Sequence, residues 1–449
     1  MSEVARRGVG DATQVTVEGV VDHADGTVEV PEAERLPEAA HPGTTRTWLS
    51  GIEALRGVAA MTVVIHHSWA LSIDPLQKRD QFIPLYQIVR GLGLWGVMLF
   101  FMLSGYLLAD TFWRSEPADL RVYGIRRFFR IAPAYYVNVA ILFLFFASTG
   151  LTFSSIGARQ LLAQLTFTQH LFPQTTSSLN VNGALWTLTI EMMLYLLLPA
   201  MALLVKKAPW PATIGLILVG LAWQGLVAFH GDWLREVYFG NALPPPHGDG
   251  VKRTLQSGFI AGQFPGLVGI FALGIMARWL VVHGKLDALY RRLPARLGVS
   301  SFLVLMLPSI ALLYWSGRGT NYYHPLLFTV YDLLLMLVLL PALLLAARPA
   351  QFSPSPLRSI GTWLGERSYS IYLWHFPIIL AIYERGPGEV LPPAGGYWWR
   401  LPAILVTTLV FATVSYRLVE RPGMELGRTY AQRFARSRPI PIPIKEPAP

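Results

Sequence analysis

The chain of 449 residues contains no cysteine, and only 14% of its residues are charged. The absence of cysteine excludes disulfide bonds, thiol nucleophiles and cysteine metal ligands. The scarcity of charge is also informative, because soluble proteins carry about 25% charged residues. With 53% hydrophobic residues and a mean hydropathy of +0.42, the chain is expected to be a polytopic membrane protein in contact with the lipid bilayer.

The chain has a net charge of +10, which in a soluble protein could indicate nucleic-acid binding. Here, however, the basic residues fall mainly in short segments between apolar stretches. Loops on the cytoplasmic side of membrane helices are enriched in lysine and arginine. Membrane topology therefore explains the positive charge, and we expect no nucleic-acid partner.

Apolar stretches of bilayer-spanning length recur along most of the chain. A span needs about 20 residues, and about ten stretches come close to that length. They lie at 52–72, 91–112, 133–150, 184–205, 211–230, 262–283, 297–316, 325–347, 368–384 and 401–420. The sequence therefore predicts an all-α fold with about ten transmembrane helices. A shorter apolar piece at 161–172 cannot span alone and is expected to lie at the interface or to re-enter the membrane.

Lysine and arginine are concentrated in the loops on one side of these spans. An even number of spans also places both termini on the same side, and the side rich in lysine and arginine is expected to be the cytoplasmic one. We therefore expect a multi-pass protein of the plasma membrane with both termini in the cytoplasm. Residues 1–47 are acidic, lack the apolar run of a signal peptide, and are predicted to form a disordered cytoplasmic tail. Residues 48–422 form the predicted membrane domain, and 423–449 a basic, then proline-rich C-terminal tail.

The first predicted span carries an arginine near its start and a histidine deep in its apolar body. Arg56 and His67 are eleven residues apart, so on a helix their side chains point in directions within about 20° of each other and lie roughly 16 Å apart along the axis. Glu53 lies one turn before Arg56 and can pair with it. Arg56 alone could simply extend to the lipid headgroups. His67 more strongly indicates function, because ionisable groups inside membrane spans are rare.

Three further arginines cluster where the third predicted span begins. Arg126, Arg127 and Arg130 could anchor the span to the cytoplasmic headgroups or could bind phosphate through their forked guanidinium groups. Together with Arg56 they would suit a nucleotide or coenzyme. Tyr135 fits a position at the membrane interface.

Other polar residues lie inside predicted spans. Ser104 is followed by a glycine, and small residues such as these usually allow close helix approach. Glu191 shares a helix face with Tyr195, and Trp186 precedes both near the start of the span. The carboxylate of Glu191 either forms a structural ion pair or has a functional role. His375 could pair with His67 or with Glu191, or have an architectural role.

Several motifs together resemble the acyltransferase 3 family of integral membrane O-acyltransferases. They are IEALRGVAAMTVVIHH in the first span, FFMLSGYL in the second, and the stretches from Arg126 to Tyr135 and from Leu185 to Tyr195. Two more surround His375 and Glu420. The resemblance covers residues from about 49 to 422. One departure is Ile190, where relatives often carry an acid directly before the residue that matches Glu191.

The resemblance implies an enzyme that moves a short acyl group from acyl-CoA to a hydroxyl of a saccharide-containing acceptor. The acceptor would be a cell-envelope glycan or glycolipid, or a glycosylated natural product such as a macrolide. Acyl-CoA is then a substrate, and no permanently bound cofactor or metal is expected. His67 would act as general base or, less favoured, as a covalent acyl carrier, and Glu191 would orient it. The residues predicted to bind substrate are Arg56, Arg126, Arg127, Arg130, Ser104, Tyr135, Trp186, Tyr195 and His375.

A second hypothesis from another class also fits the polar residues. In a multipass transporter or flippase, His67, Glu191 and His375 would form a proton relay. The sequence shows no internal repeat of its motifs, although many transporters consist of two related halves. The arginine clusters also suit coenzyme A better than a proton path.

Overall fold

The computed structural model describes residues 45–70, 83–113, 119–148, 158–176, 180–240, 256–294, 325–348, 356–383 and 397–436. These residues form helices and the turns between them, and none of them forms a strand. The predicted all-α fold class is therefore confirmed. The chain divides into two units, Met1–Thr45 and Arg46–Pro449, and every described residue except Thr45 belongs to the second unit. The predicted tail at 1–47 lies almost entirely outside the described residues.

The N-terminal half contains five long helices, α1 to α3 and then α6 and α7. The short helices α4 and α5 lie between α3 and α6. They are α1 Thr45–Ala70, α2 Ile83–Ala109, α3 Leu120–Ser148, α4 Ala158–Leu165, α5 Pro173–Thr176, α6 Trp186–Lys207, α7 Pro209–Phe229 and α8 Gly231–Phe239. Short 3-10 helices at Asp110–Phe112 and Asn180–Leu185 extend the end of α2 and precede α6.

The C-terminal half continues the helical pattern. Its helices are α9 at 256–261, α10 Phe264–Val282, α11 Asp287–Arg292, α12 Pro325–Ala346, α13 Pro356–Glu366, α14 Ser368–Ile382, α15 Tyr397–Ser415 and α16 Arg421–Arg436. A π-helical turn at Tyr416–Glu420 joins α15 to α16. Such turns are rare and often occur at functional sites.

Six helical segments within the described residues are long and apolar enough to cross a membrane. They are Gly91–Phe112, Leu120–Leu144, Asn182–Lys207, Pro209–Phe229, Phe264–Val282 and Trp399–Ala435. Leu333–Ala346 and Ser368–Ile382 are shorter apolar helices. The predicted span at 52–72 falls on α1, which is not among the six, and the one at 297–316 lies outside the described residues. The count of about ten and the cytoplasmic termini therefore stay predictions.

Helices α2 and α10 form the centre of the helical bundle, and glycines let their backbones approach. A β-carbon on Gly105 would meet the carbonyl oxygen of Phe271, and one on Gly274 would meet that of Met102. The interpretation that the small residues after Ser104 serve close packing is thus confirmed for Gly105. Outward-facing residues are apolar in several spans, as expected for contact with lipid. Examples are Leu144, Leu196, Leu218 and Val406.

Helix α16 extends to residue 436, within the segment predicted as a C-terminal tail, and packs against α3. Gly427 lies against the side chain of Phe129, whose ring stacks on Tyr430 with 5.6 Å between the centroids. Gly423, Gly427 and Ala431 are spaced four residues apart, so they form one narrow helix face that can approach α3 closely.

Candidate functional site

The polar residues near the start of α1 behave as the sequence predicts. Nη1 of Arg56 donates to both carboxylate oxygens of Glu53, at 3.1 and 3.0 Å. The pair is partly buried, with side-chain exposures of 18% for Arg56 and 20% for Glu53. The predicted pairing is confirmed, and the pair lines a cavity rather than an open surface.

This cavity, which we call the arginine cavity, has a volume of about 360 Å³. It lies among α1, α2, α3, α6 and α14, and the α15–α16 junction closes one side. The predicted site residues that line it are Arg56, Ser104, Arg127, Arg130, Glu191 and Tyr195. Three guanidinium groups on two helices thus face one cavity, an arrangement that can bind a polyanion.

The two cavity-lining arginines of α3 differ in their partners. Nη1 of Arg130 lies 2.6 Å from Oε1 of Glu420, whose side chain is fully buried. The other oxygen of Glu420 accepts a hydrogen bond from Oγ of Ser370 at 2.6 Å. Among the described residues, Arg127 has no carboxylate within ion-pair distance, and its Nε has no hydrogen-bond partner. Arg127 is therefore the cation of this cavity that is most available to an anionic ligand.

Two residues predicted to bind substrate lie elsewhere. Arg126 is exposed and does not line the cavity, since it lies about 100° around α3 from Arg127. Tyr135 is fully buried, and its hydroxyl bonds to the side-chain and main-chain oxygens of Gln164 at 2.8 and 2.9 Å. Its ring packs on Phe167, with 4.4 Å between the centroids. In this structure Tyr135 connects α3 to the end of α4 and to the turn that follows it.

Glu191 lies in the wall of the arginine cavity and accepts two hydrogen bonds there. Oγ of Ser104 donates to its Oε1 at 3.2 Å, and the hydroxyl of Tyr195 donates to the same oxygen. The predicted shared face of Glu191 and Tyr195 is confirmed. Ser104 is thus a hydrogen-bond donor to the carboxylate of Glu191.

A second cavity, which we call the histidine cavity, has a volume of about 190 Å³. It is bordered by α1, α2, α6, α7, α9, α10 and α14. Its lining includes His66, His67, Gly93, Trp186, Gln224 and Gly262. Val97 and Tyr372 line both cavities and therefore form the wall between them. The hydroxyl of Tyr372 is anchored at 2.6 Å from both the carbonyl of Ala184 and Oγ1 of Thr187.

His67 contacts His375 directly. Nδ1 of His67 lies 3.0 Å from Nε2 of His375, and the two rings stack with 5.1 Å between their centroids. Nδ1 of His375 lies 2.8 Å from the carbonyl oxygen of Tyr372, which can only accept, so this nitrogen carries a proton. In the neutral state Nε2 of His375 then accepts a hydrogen bond from Nδ1–H of His67. This chain of hydrogen bonds leaves Nε2 of His67 unprotonated and able to act as a base.

The predicted orientation of His67 by Glu191 requires correction. The hydrogen bonds of Glu191 go to Ser104 and Tyr195 on the arginine-cavity side, whereas His67 is held by His375. The prediction that His375 pairs with either His67 or Glu191 is thus decided in favour of His67. Within the described residues, no three His, Asp or Glu side chains are grouped to hold a metal ion.

Asn138 and Asn182, which were not identified from the sequence, hydrogen-bond to the backbone of α14 close to His375. Pro377 in α14 has no N–H, so the carbonyl of Leu373 one turn earlier lacks its helical partner. Asn138 and Asn182 donate to that carbonyl at 3.2 and 2.9 Å, and Asn182 also bonds to Asn138 at 3.2 Å. The proline was the available signal, because it predicts an unpaired carbonyl near His375.

The fold and these cavities define a helical membrane protein in which an arginine-lined and a histidine-lined cavity share one wall. A family model described as an acyltransferase domain matches residues 49–417. The chain belongs to this family, the acyltransferase 3 family, and the resemblance drawn from the motifs is confirmed.

Curated relatives cover most of the chain at low identity. Nodulation protein 10 of Rhizobium leguminosarum is 24% identical over 400 residues, which cover 86% of this chain and 95% of the relative. The peptidoglycan O-acetyltransferase OatA of Listeria monocytogenes is 26% identical, covering 85% of this chain and 57% of the relative. The O-acetyltransferase OatA of Staphylococcus aureus is 29% identical, covering 85% and 58%. This chain therefore spans little more than half the length of the two O-acetyltransferases. No solved structure matches it.

Proposed function

We propose that the protein is a membrane O-acyltransferase that moves a short acyl group, such as acetyl, from acyl-CoA to a hydroxyl of a saccharide-containing acceptor. The acceptor would be a cell-envelope glycan or glycolipid, or a glycosylated natural product such as a macrolide. Family membership supports acyl transfer, and two relatives named as O-acetyltransferases support the chemistry. The name of the Listeria relative supports a glycan as acceptor.

The observation that carries this proposal is the shared wall of Val97 and Tyr372. On one side, Arg127 has no acidic partner among the described residues, and the neighbouring guanidinium of Arg56 lines the same cavity. These groups would bind the phosphates of coenzyme A. On the other side lies His67. An acyl-CoA bound in the arginine cavity would place its acyl group at this wall. Only the side chains of Val97 and Tyr372 would then separate the acyl group from the cavity that contains His67.

His67 would act as the general base in a single acyl transfer. The proton of the acceptor hydroxyl moves to Nε2 of His67 while the hydroxyl oxygen attacks the thioester carbonyl carbon. The carbon–sulfur bond then breaks, and the same proton passes from His67 to the leaving sulfur. The products are an O-acyl ester and free coenzyme A. His375 would hold His67 in the tautomer that this step needs, through the 3.0 Å contact.

In this proposal the arginine cavity faces the cytoplasm, where acyl-CoA is made, and both termini lie on that side. The excess of lysine and arginine in the loops on this side supports the orientation. The protein would reside in the plasma membrane as a multi-pass protein.

The transporter hypothesis receives less support. A relay through His67, Glu191 and His375 needs a continuous hydrogen-bonded path. The two histidines are connected, but the carboxylate of Glu191 is bonded to Ser104 and Tyr195 instead.

The proposal is tested with detergent-purified protein, acetyl-CoA and a panel of saccharide acceptors that includes peptidoglycan fragments. Acetyl esters on the acceptor are measured by mass spectrometry. His67→Ala is expected to lower transfer about 10²–10⁴-fold, because a general base contributes that much. His283→Ala is the matched control, since His283 is exposed at the end of α10 and should leave the rate unchanged. Full transfer by His67→Ala, or no transfer by the wild type to any acceptor, would contradict the proposal.

A further inference from the structure

The wall of the histidine cavity contains a buried amide with an unused acceptor. Gln224 in α7 is only 2% exposed, and its Nε2 donates to the carbonyl of Ala261 at 3.2 Å. Its Oε1 has no hydrogen-bond partner among the described residues. A buried oxygen without a partner is unfavourable, so a ligand hydroxyl that donates to it would gain a hydrogen bond without displacing another.

An aromatic surface borders the same cavity. Trp186 at the start of α6 lines the cavity and lies against the turn at Gly262. A β-carbon on Gly262 would be 3.3 Å from Cζ3 of Trp186 and 3.1 Å from the carbonyl oxygen of Gly258. The absence of a side chain at Gly262 therefore lets the indole lie close to this turn. An indole offers a flat apolar surface of the kind that packs against the C–H face of a ring.

The size of the cavity limits what can enter. Its volume of about 190 Å³ is below the roughly 300 Å³ at which pockets for drug-sized ligands begin. The lining combines one amide and two imidazoles with apolar side chains such as Leu94, Met98 and Leu267. A single hydroxylated ring fits this volume and this mixture of polar and apolar groups, whereas several linked rings would not.

We propose that Gln224 is a specificity-determining residue for one ring of the acceptor. Its Oε1 accepts a hydrogen bond from a ring hydroxyl other than the reacting one, Trp186 packs on the apolar face of the ring, and His67 faces the reacting hydroxyl. Substrate-binding sites that hydrogen-bond a particular hydroxyl discriminate strongly against analogues that lack it. The inference rests on the proposed function, because it assumes that the histidine cavity receives the acceptor.

The test measures binding rather than turnover. The protein is placed in nanodiscs without sugar-based detergent, and methyl glycosides of glucose and N-acetylglucosamine are followed by saturation-transfer NMR. Each glycoside is also supplied as its monodeoxy analogues. We expect Gln224→Met to weaken binding of the best glycoside at least tenfold. One deoxy analogue should bind the wild type tenfold more weakly than its parent, yet bind Gln224→Met as well as its parent does.

Gln263→Met is the matched control. Gln263 is also buried, and its Nε2 also donates to main-chain carbonyls, those of His170 and Phe259, but it does not line the cavity. Equal weakening by Gln224→Met and Gln263→Met would show a general packing effect and overturn the inference. Absence of saturation transfer from the wild type to any of the glycosides would also overturn it. The proposed function fails separately, if acetyl-CoA supports no acyl transfer to any acceptor.

If Gln224→Met does not fold, Gly262→Ala provides the second variant. The added methyl group would press on the indole of Trp186 and narrow the cavity. Binding of the glycosides should fall at least tenfold, and unchanged binding would contradict the assignment of this cavity to the ring.

Discussion

His67 and His375 lie 308 residues apart in the chain, yet Nδ1 of the first is 3.0 Å from Nε2 of the second. Because the carbonyl of Tyr372 accepts a hydrogen bond from Nδ1–H of His375, the direction of both hydrogen bonds is fixed in the neutral pair. The imidazole of His67 on α1 is therefore positioned by an imidazole on α14 and by the backbone of that helix. A carboxylate, the usual partner of a catalytic histidine, is bonded elsewhere.

The first prediction concerns this pair. His375→Ala removes the acceptor for His67 Nδ1–H, so His67 can rotate or adopt the other tautomer. We expect kcat for acetyl transfer to fall about 10²-fold, as for a small misplacement of a reacting group, while KM for acetyl-CoA stays the same.

His375→Gln provides the control for this effect. The glutamine oxygen can still accept a hydrogen bond from His67, so this variant should recover part of the lost rate. If His375→Ala and His375→Gln are equally slow, the shape of the imidazole matters rather than its acceptor. If neither is slowed, His375 does not position His67.

The second prediction separates two neighbouring arginines. Arg127 lines the arginine cavity without an acidic partner among the described residues, whereas Arg126 is exposed beside it. Arg127→Ala should raise KM for acetyl-CoA at least tenfold, and Arg126→Ala should change it less than twofold. The increase should shrink with dephospho-coenzyme A derivatives if Arg127 contacts the phosphate that they lack. Equal effects of the two variants would point to general surface charge as the cause.

Contacts between side chains of the same helix could be predicted from the sequence. A rotation of 100° per residue correctly places Glu53 beside Arg56 and Glu191 beside Tyr195, because both pairs depend only on helix geometry. The family motifs also led to the correct family. Most of the helices that the structure describes coincide with predicted apolar spans, since burial in lipid requires long apolar runs.

Contacts between helices could not be predicted in the same way. Helix geometry puts Arg126 about 40° from Arg130 and Arg127 about 60° from it, so it favours Arg126 as the neighbour of Arg130. The structure brings Arg127 and Arg130 to the cavity instead, because the packing of α3 against α16 and its other neighbours determines which face is enclosed. The shared wall of Val97 and Tyr372 likewise depends on how α2 and α14 meet.

The third prediction tests the close packing of α2 and α10. A β-carbon on Gly274 would overlap the carbonyl of Met102, so Gly274→Ala forces the two backbones apart. We expect a loss of about 1–3 kcal/mol in the free energy of unfolding, seen as a lower Tm in detergent. Gly215→Ala in α7 is the control, because a β-carbon at that position would have no neighbouring atom within 4 Å among the described residues. That variant should be neutral or gain up to about 1 kcal/mol from helix propensity.

The fourth prediction concerns the buried carboxylate at the π-helical turn. Glu420 is fully buried between Arg130 and Ser370, and Arg130 is one of the cations of the arginine cavity. Glu420→Gln removes the charge that holds Arg130 in place. Breaking one partner of a buried ion pair costs about 3–5 kcal/mol, so we expect a clearly lower Tm. We also expect a higher KM for acetyl-CoA, because the released guanidinium no longer lies at a fixed position in the cavity.

Glu425→Gln separates this effect from a simple loss of negative charge near α16. Glu425 pairs with Arg421 one turn away, and both side chains are more than half exposed. Exposed pairs of this kind contribute only about 0–1 kcal/mol, so Tm and KM should hardly change. If Glu420→Gln lowers Tm but leaves KM for acetyl-CoA as it is in the wild type, then Glu420 stabilises the α15–α16 junction without positioning Arg130. The double variant Glu420→Gln/Arg130→Lys gives a second check. If it returned KM for acetyl-CoA to the wild-type value, positioning of the Arg130 guanidinium would not be the cause of the raised KM, because a lysine has no forked guanidinium.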